Sequence, residues 1–497
     1  MQLVAALGLL AWAAIVRLPF AGNTGEDEIF FALVAQRWLG GLLPYVASFD
    51  VKPAGLFAVF AVAQALFGTS VATIKGLEIA CCAATAFGLH LIGARHLSRP
   101  AGWIAAVLYP VYSLALSGVN APTELLKAPF EVFAVLAALE AVRGGRVRLG
   151  WIGVAGLLLG GAATVKQTAA FTAVALVLAI VPRIRERRAW AAVAFGVGIV
   201  ALPAGFAALY LSSGELPALL SGAVFGAAGR LSGDNVGFIE GVLRFPPGMK
   251  PLIVLLIAAM LVLTRGGRLR AGPQGPGCRF TLAWLAGEAA GIIATRSMYD
   301  HYFLALVPPL ALLTGITLWH LFDVPHGRRV FVAASVLALA LAWPPLFEWR
   351  GLAHRSDFAA AAAVGDRLTE AGVAPDGRIL VVDRGLLVHL LSGRAVASRY
   401  FHPQHLLCSF PAPDADPLAV ALSGRPGAIV VADTRHGMVC ERDDRWAELL
   451  TAIGAGYCLA GHVPGEADDF DIYVARKDGQ ANCPGTSPVV SARVGSL

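Results

Sequence analysis

The chain has 497 residues, 57% of them hydrophobic and 14% charged, with a formal net charge of +6. With a mean hydropathy of +0.68, this excludes an ordinary soluble globular protein and points to a polytopic membrane protein. The basic excess sits in residues 1–349, with 25 Lys and Arg against 16 Asp and Glu, while residues 350–497 hold 14 against 17; basic residues in short loops set membrane orientation, and no nucleic-acid motif or aromatic-basic stripe gives the charge another use.

Residues 2–20 are long enough to span a bilayer and lack a basic flank, so they predict a retained helix and not a cleaved signal. Glu26-Asp27-Glu28 follows directly. Three consecutive carboxylates are costly to hold at a bilayer edge and read as a functional site; a solvated loop is the plain alternative. Lys52 lies further along the same loop, and residues 52–68, apolar but short and bounded by Pro and Gly, predict an interfacial helix.

Further spans are expected at 71–94, 100–117, 125–142, 149–165, 168–182, 189–211, 250–264, 280–295, 302–322 and 329–347, about eleven in all. Alternate loops carry arginine: Arg95 and Arg99; Arg143, Arg146 and Arg148; Arg183, Arg185, Arg187 and Arg188; Arg265, Arg268, Arg270 and Arg279; Arg328 and Arg329. The positive-inside rule makes these loops cytoplasmic, together with the N-terminus. The alternation requires residues 149–182 to be two short spans turning at Lys166-Gln167-Thr168, with Lys166 at the outer face.

Outer loops then hold Asn120-Ala-Pro-Thr-Glu124, Lys166-Gln167 and Arg296-Ser-Met-Tyr-Asp-His-Tyr302. Each has a structural alternative: Glu124 as a first-turn residue favoured by the helix dipole, Lys166 as a snorkelling lysine, Tyr299 and Tyr302 as an interfacial aromatic belt. The Gly-rich stretch 212–249, with Asp234-Asn235 and Arg244, reads equally as a lid or a connector.

After Pro344-Pro345 the composition shifts to that of a soluble domain, residues 350–497, with a loose tail from about 480. Short β-like runs at 378–382, 428–432, 456–461 and 470–475 alternate with helical stretches at 356–371 and 443–453, which predicts an α/β fold. Cys408, Cys440, Cys458 and Cys483 fall here without zinc-like spacing, so two disulfides in one of three pairings are expected, in keeping with an outward location. Cys81, Cys82 and Cys278, in or beside spans, read as packing residues.

The stretch from Gly25 through Glu26-Asp27-Glu28 to Gly41, then Leu43-Pro-Tyr45 and Phe49-Asp-Val-Lys-Pro53, resembles the first outer loop of GT-C glycosyltransferases. It looks most like the branch related to protein O-mannosyltransferases and to aminoarabinose transfer to lipid A. The likeness covers residues 1–345 by span order and is specific in the first loop and the later motifs, with Pro53-Ala54 where the family commonly has a double proline. It implies a polytopic α-helical fold and an inverting transfer from a polyprenyl-phosphate sugar. Asp27 is then the general base, with Glu28 beside it and Glu124 in the second loop completing the catalytic carboxylates. Lys52, Lys166, Gln167, Arg296, His301, Tyr302 and Tyr45 fall at donor-phosphate or substrate-binding positions. The chemistry fits, because the acceptor hydroxyl must lose a proton as it attacks and the leaving phosphate must be stabilised where its charge develops. A divalent metal, Mg or Mn, is optional, with Asp27, Glu28 and Glu124 as candidate ligands.

The expected protein is a multi-pass enzyme of a bacterial inner membrane, with the C-terminal domain in the periplasm and a lipid, glycan or protein of the envelope as acceptor; the high Ala, Gly and Arg content suits a GC-rich genome. Membrane lipids are partners and nucleic acid is not. Rival readings are a transporter or flippase of a lipid-linked substrate, disfavoured by the lack of an internal repeat, and a non-catalytic polyprenyl-lipid-binding scaffold.

Overall fold

The structure is a computed structural model and describes residues 1–184, 186–229, 252, 255, 275–296, 299–322, 358–408, 413, 414, 416–434, 444–466 and 468–476. The expected spans at 329–347 and, apart from Leu252 and Leu255, at 250–264 lie outside these residues, as do Asp234-Asn235, Arg244, Pro344-Pro345, Cys440, Cys483 and the tail from about 480. The chain divides into two units. One contains Met1–Asn23, Lys52–Leu219 and the described residues between 252 and 322; the other contains Thr24–Val51, residues 220–229 and the described residues from 358 onward.

The first unit is helical: α1 (Gln2–Arg17), α3 (Ala54–Phe67), α4 (Val71–His96), α5 (Arg99–Tyr112), α6 (Thr123–Ala141), α7 (Leu149–Val165), α8 (Ala169–Ile180), α9 (Arg188–Ser212), α10 (Gly275–Thr295) and α11 (Val307–Phe322). Helix α2 (Glu26–Leu39) belongs to the other unit. Among the described residues, Gln2–Phe20, Val71–His96, Arg188–Ser212 and Asp300–Trp319 are long and apolar enough to cross a membrane, and Ala54–Phe67, Leu149–Val165 and Ala169–Arg183 are shorter apolar helices. Leu3 and Leu7 on α1, Trp151 and Leu157 on α7, and Val193 and Val197 on α9 are exposed. Apolar surface on this scale needs lipid to cover it, so the chain is a membrane protein.

Helix α7 ends where its hydrogen-bond ladder does: Lys166 adopts extended dihedrals, φ −150° and ψ 126°, and α8 starts three residues later. A single continuous helix through 149–182 is therefore excluded. Helix α5 stops at Tyr112, short of the expected boundary at 117, because residues 113–119 turn, with Leu116 and Ser117 at φ 55° and 62°. Arg17 holds that turn from α1, donating from Nη2 to Gly118 O at 2.6 Å and from Nη1 to Ser113 Oγ at 3.0 Å.

Backbones approach closely where α7 crosses α9. A Cβ at Gly156 would stand 2.4 Å from Phe195 O, and one at Gly198 would stand 2.3 Å from Gly153 O. Small residues let apolar helices gain dispersion contact in lipid, where the hydrophobic effect contributes little between helices. Charge inside the bundle is paired. Arg17 and Lys75 share Glu78 at 3.1 and 2.8 Å. Lys127 on α6 bridges Glu131 on its own helix and Glu288 on α10, at 2.7 and 2.6 Å, and Glu288 also accepts from Thr172 on α8 and from Trp284. A buried ion left without its partner would cost several kcal/mol, so these clusters fix which helices meet.

The second unit carries a four-stranded sheet in the order β1-β2-β4-β3, with strands Ile379–Val382 (β1), Ala428–Thr434 (β2), Tyr457–Val463 (β3) and Asp468–Ala475 (β4). β1 runs parallel to β2, and β4 runs antiparallel to both β2 and β3. The parallel pair needs a long crossover, supplied by helices α13 (Leu387–Ser392), α14 (Pro403–Leu407) and α15 (Pro417–Ser423). Helices α12 (Phe358–Glu370) and α16 (Asp444–Gly456) complete the unit. The strands overlap all four β-like runs, and the two long helices overlap both helical stretches read from the sequence. Phe49 and Val51 from the first loop lie in the same apolar core as Leu380, Val382, Tyr400 and Leu406. Cys408 and Cys458 are disulfide-bonded, whereas Cys81, Cys82 and Cys278 are free.

His389 on α13 is buried, and its Nδ1–H donates to Arg394 O at 3.1 Å. Burial pushes its pKa down from the ordinary 6.5 to about 4. The unfolded chain therefore takes up this proton at a higher pH than the folded one. Stability from this site is complete above pH 6.5 and falls as the pH drops toward 4, by about 3 kcal/mol in all. Thermal melts of the detergent-solubilised protein at pH 7 and 4.5 should show this loss, and His389→Gln should remove that part of the pH dependence.

Candidate functional site

In the second unit the site begins with the first turn of α2. Gly25 is the N-cap, in extended conformation at φ −95° and ψ 152°, and Glu26, Asp27 and Glu28 occupy the first turn, where the helix dipole favours negative charge. Successive helical residues are rotated by roughly 100°, so the three carboxylates meet three environments. Glu28, buried, turns back and accepts from Gly25 N at 3.0 Å, which satisfies a donor at the helix start. Glu26 accepts from Gly385 N at 2.9 Å and Leu386 N at 3.1 Å. Gly385 has φ 104°, which a side chain would strain. Asp27 keeps 52% of its side chain exposed and meets His402 Nε2 at 3.0 Å.

His402 is the N-cap of α14, and its Nδ1 accepts from Gln404 N at 3.2 Å. A nitrogen that accepts from a backbone amide carries no proton, so the hydrogen lies on Nε2 and is donated to Asp27 Oδ1. The ring stands edge-on to Phe30 at 4.7 Å and 5.0 Å from the ring of His405. His405 Nε2 lies 3.6 Å from the buried Asp50, whose Oδ1 accepts from Val51 N. Tyr45, expected at a substrate-binding position, is buried at φ 65°, and its ring occupies the space that a Cβ on Gly222 would need. It is packed inside the unit.

In the first unit a second cluster forms where α7 ends. Lys166 and Glu124 make a buried ion pair, and Thr123 Oγ1 donates to the other carboxylate oxygen of Glu124 at 3.1 Å. The Lys166 ammonium also lies 3.7 Å from the centre of the Tyr302 ring, a cation–π contact. His301 meets Tyr302 edge-on at 4.7 Å and stacks on Tyr299 at 5.9 Å. Lys52 approaches the same place for a packing reason: Gly55, at the start of α3, sits so close to Thr164 that a Cβ there would be 2.2 Å from its Oγ1. Gln167 is exposed, and Arg296 is exposed at φ 58° just past α10. Of the residues expected from the sequence, this unit gathers Glu124, Lys166, His301 and Tyr302, with Lys52 nearby, while Asp27, Glu28 and Tyr45 belong to the other unit.

His402, His405, Asp50 and Gly385 were not anticipated from sequence. The available signal was His402-Pro-Gln-His405, a histidine before a proline at a helix start followed by a second three residues on. No group of three or more His, Cys, Asp or Glu suited to a metal occurs among the described residues. Glu28 accepts from the Gly25 amide and Glu124 pairs with Lys166.

The class of fold follows from comparison with known proteins: it is that of the GT-C glycosyltransferases, as the resemblance read in the sequence implies. Residues 51–207 match the family model described as dolichyl-phosphate-mannose-protein mannosyltransferase, a stretch that includes Lys52, Glu124, Lys166 and Gln167. The crystal structure of ArnT from Cupriavidus metallidurans bound to undecaprenyl phosphate superposes with TM-score 0.63 at 14% identity, covering 94% of this chain and 97% of that one. The apo form of the same protein gives 0.60 at 13% identity, covering 94% and 98%. Arabinofuranosyltransferase AftD from Mycobacteria gives 0.50 at 17% identity, covering 96% of this chain and 40% of the larger one. No curated protein matches the chain.

Glu124→Gln should lower unfolding stability by roughly 3–5 kcal/mol, because it leaves the Lys166 ammonium buried without a carboxylate. Adding Lys166→Met should restore most of the loss, since the pair is then removed as a unit. Chemical unfolding of the four proteins in one detergent checks this cycle.

Proposed function

We propose that the protein is an inverting glycosyltransferase that moves a sugar from a polyprenyl-phosphate carrier to a lipid, glycan or protein acceptor of the bacterial envelope. The observation that carries this reading is the state of Asp27. Among three adjacent carboxylates it is the one left largely open to solvent, while Glu26 and Glu28 accept from backbone amides. The fold, and the undecaprenyl phosphate seen in ArnT, support a polyprenyl-phosphate donor.

In the proposed reaction the acceptor hydroxyl oxygen attacks the anomeric carbon from the face opposite the phosphate and gives its proton to Asp27. The bond from the anomeric carbon to the phosphate oxygen breaks, and its electron pair leaves with the polyprenyl phosphate. A preorganised cation stabilises charge where it develops, the role proposed for Lys166 and Lys52, with Arg296 in support. Gln167, His301 and Tyr302 are proposed to contact the donor, and Glu124 to hold the Lys166 ammonium in place. Glu28 serves the site by bonding the amide at the helix start, and Tyr45 keeps its proposed place at a substrate-binding position.

The proposed topology has about eleven spans, a cytoplasmic N-terminus and a periplasmic C-terminal domain from about residue 350 in the inner membrane, following the arginine loops. Disulfide-bonded Cys408 and Cys458 suit that oxidising side.

Asp27→Asn tests the reading. The amide oxygen still accepts from His402, so assembly and lipid binding should be unchanged while turnover falls by about 10²–10⁴-fold, the usual contribution of a general base. Native mass spectrometry of this variant from its own membranes should find the loaded polyprenyl-phosphate sugar and identify the sugar by mass. Ordinary phospholipid alone, in both the variant and the wild type, would refute the donor assignment.

A further inference from the structure

We propose that His402 is the positioning residue for Asp27, so that the C-terminal third of the chain supplies part of the catalytic apparatus. This rests on the reading of Asp27 as the base.

The His402 side chain is only 6% exposed, and three contacts restrain its ring: the Gln404 amide at Nδ1, the Phe30 ring edge-on at 4.7 Å, and the His405 ring at 5.0 Å. Phe30 lies on α2 one turn beyond Asp27, so the surface that carries the carboxylate also helps place its partner. With Nδ1 engaged by the amide, Nε2–H has one direction to point, and it points at Asp27 Oδ1 at 3.0 Å. A carboxylate presents about four lone-pair positions. Accepting from His402 uses one and restrains the side chain, and displacement of a reacting group by about 1 Å can cost 10²-fold in rate.

A purely structural role for His402 is the alternative, since the residue also caps α14. Three variants separate the two roles. His402→Asn keeps a side-chain oxygen placed to cap Gln404 N, asparagine being a favoured N-cap, but cannot reach Asp27. His402→Gln places an amide N–H near the position of Nε2. His402→Phe keeps ring packing and removes both hydrogen bonds.

Each protein is placed in nanodiscs and supplied with increasing amounts of sugar-loaded polyprenyl-phosphate lipid from the producing cell's membranes, together with an envelope extract of that cell as the source of acceptor, and release of polyprenyl phosphate is followed by mass spectrometry. Positioning predicts that His402→Asn lowers kcat at least tenfold with KM within twofold of wild type and an unchanged melting temperature. It also predicts that His402→Gln recovers kcat to within threefold of wild type and that His402→Phe is at least as impaired as His402→Asn. Wild-type kcat in His402→Asn overturns the proposal. So does equal impairment of the Asn and Gln variants, or loss that tracks a lowered melting temperature. Lack of release by the wild type refutes the transferase reading itself, and this inference falls with it.

Discussion

Three adjacent carboxylates at the start of a helix cannot share one environment, and much of the site follows from that constraint. The rotation between successive helical residues aims Glu26 at the backbone of Gly385 and Leu386, Glu28 back at Gly25, and Asp27 outward to solvent and His402. Each interaction depends on the others. The Glu28 bond to the Gly25 amide sets where the helix begins, the Glu26 contacts tie that start to the turn after β1, and only then does Asp27 have a defined place to meet a histidine. An acidic run that looks redundant in sequence is a division of labour in which two side chains hold the third.

The membrane unit solves a related problem with cations. An ammonium or guanidinium among apolar helices is tolerated only with a partner, and Arg17, Lys75, Lys127 and Lys166 each have a carboxylate within reach. These pairs differ in what surrounds them. Lys127 is closed in by residues from α6, α8 and α10, which suits a fastener between helices. Lys166 sits at a break between helices, against an aromatic face and near a second lysine, a setting in which an anion can compete for the ammonium.

Much of the architecture was legible in the sequence because it rests on local pattern. The arginine alternation required a break at Lys166, and the extended dihedrals there are the physical form of that break. The β-like runs and helical stretches of the C-terminal segment were readable from period and turn residues, and their strands and helices fall in the same places. Residues whose role depends on a distant partner were not readable. Tyr45 lies against Gly222, a neighbour that nothing in its local motif announces. Glu28 bonds the amide of its own helix start, a contact that depends on where that helix begins. His402 was missed because an isolated His-Pro step has no chemical meaning until Asp27 is placed beside it.

The contacts that hold Asp27 and Glu26 join residues 375 and 359 positions apart. Loop closure over such a distance is entropically costly and is met late in folding. During synthesis the acidic loop is made long before Gly385 and His402, with the helices of the first unit between them. A nascent chain that has not reached those residues therefore carries its carboxylates without the groups that orient them, and the order of translation itself keeps the site unassembled until they are made.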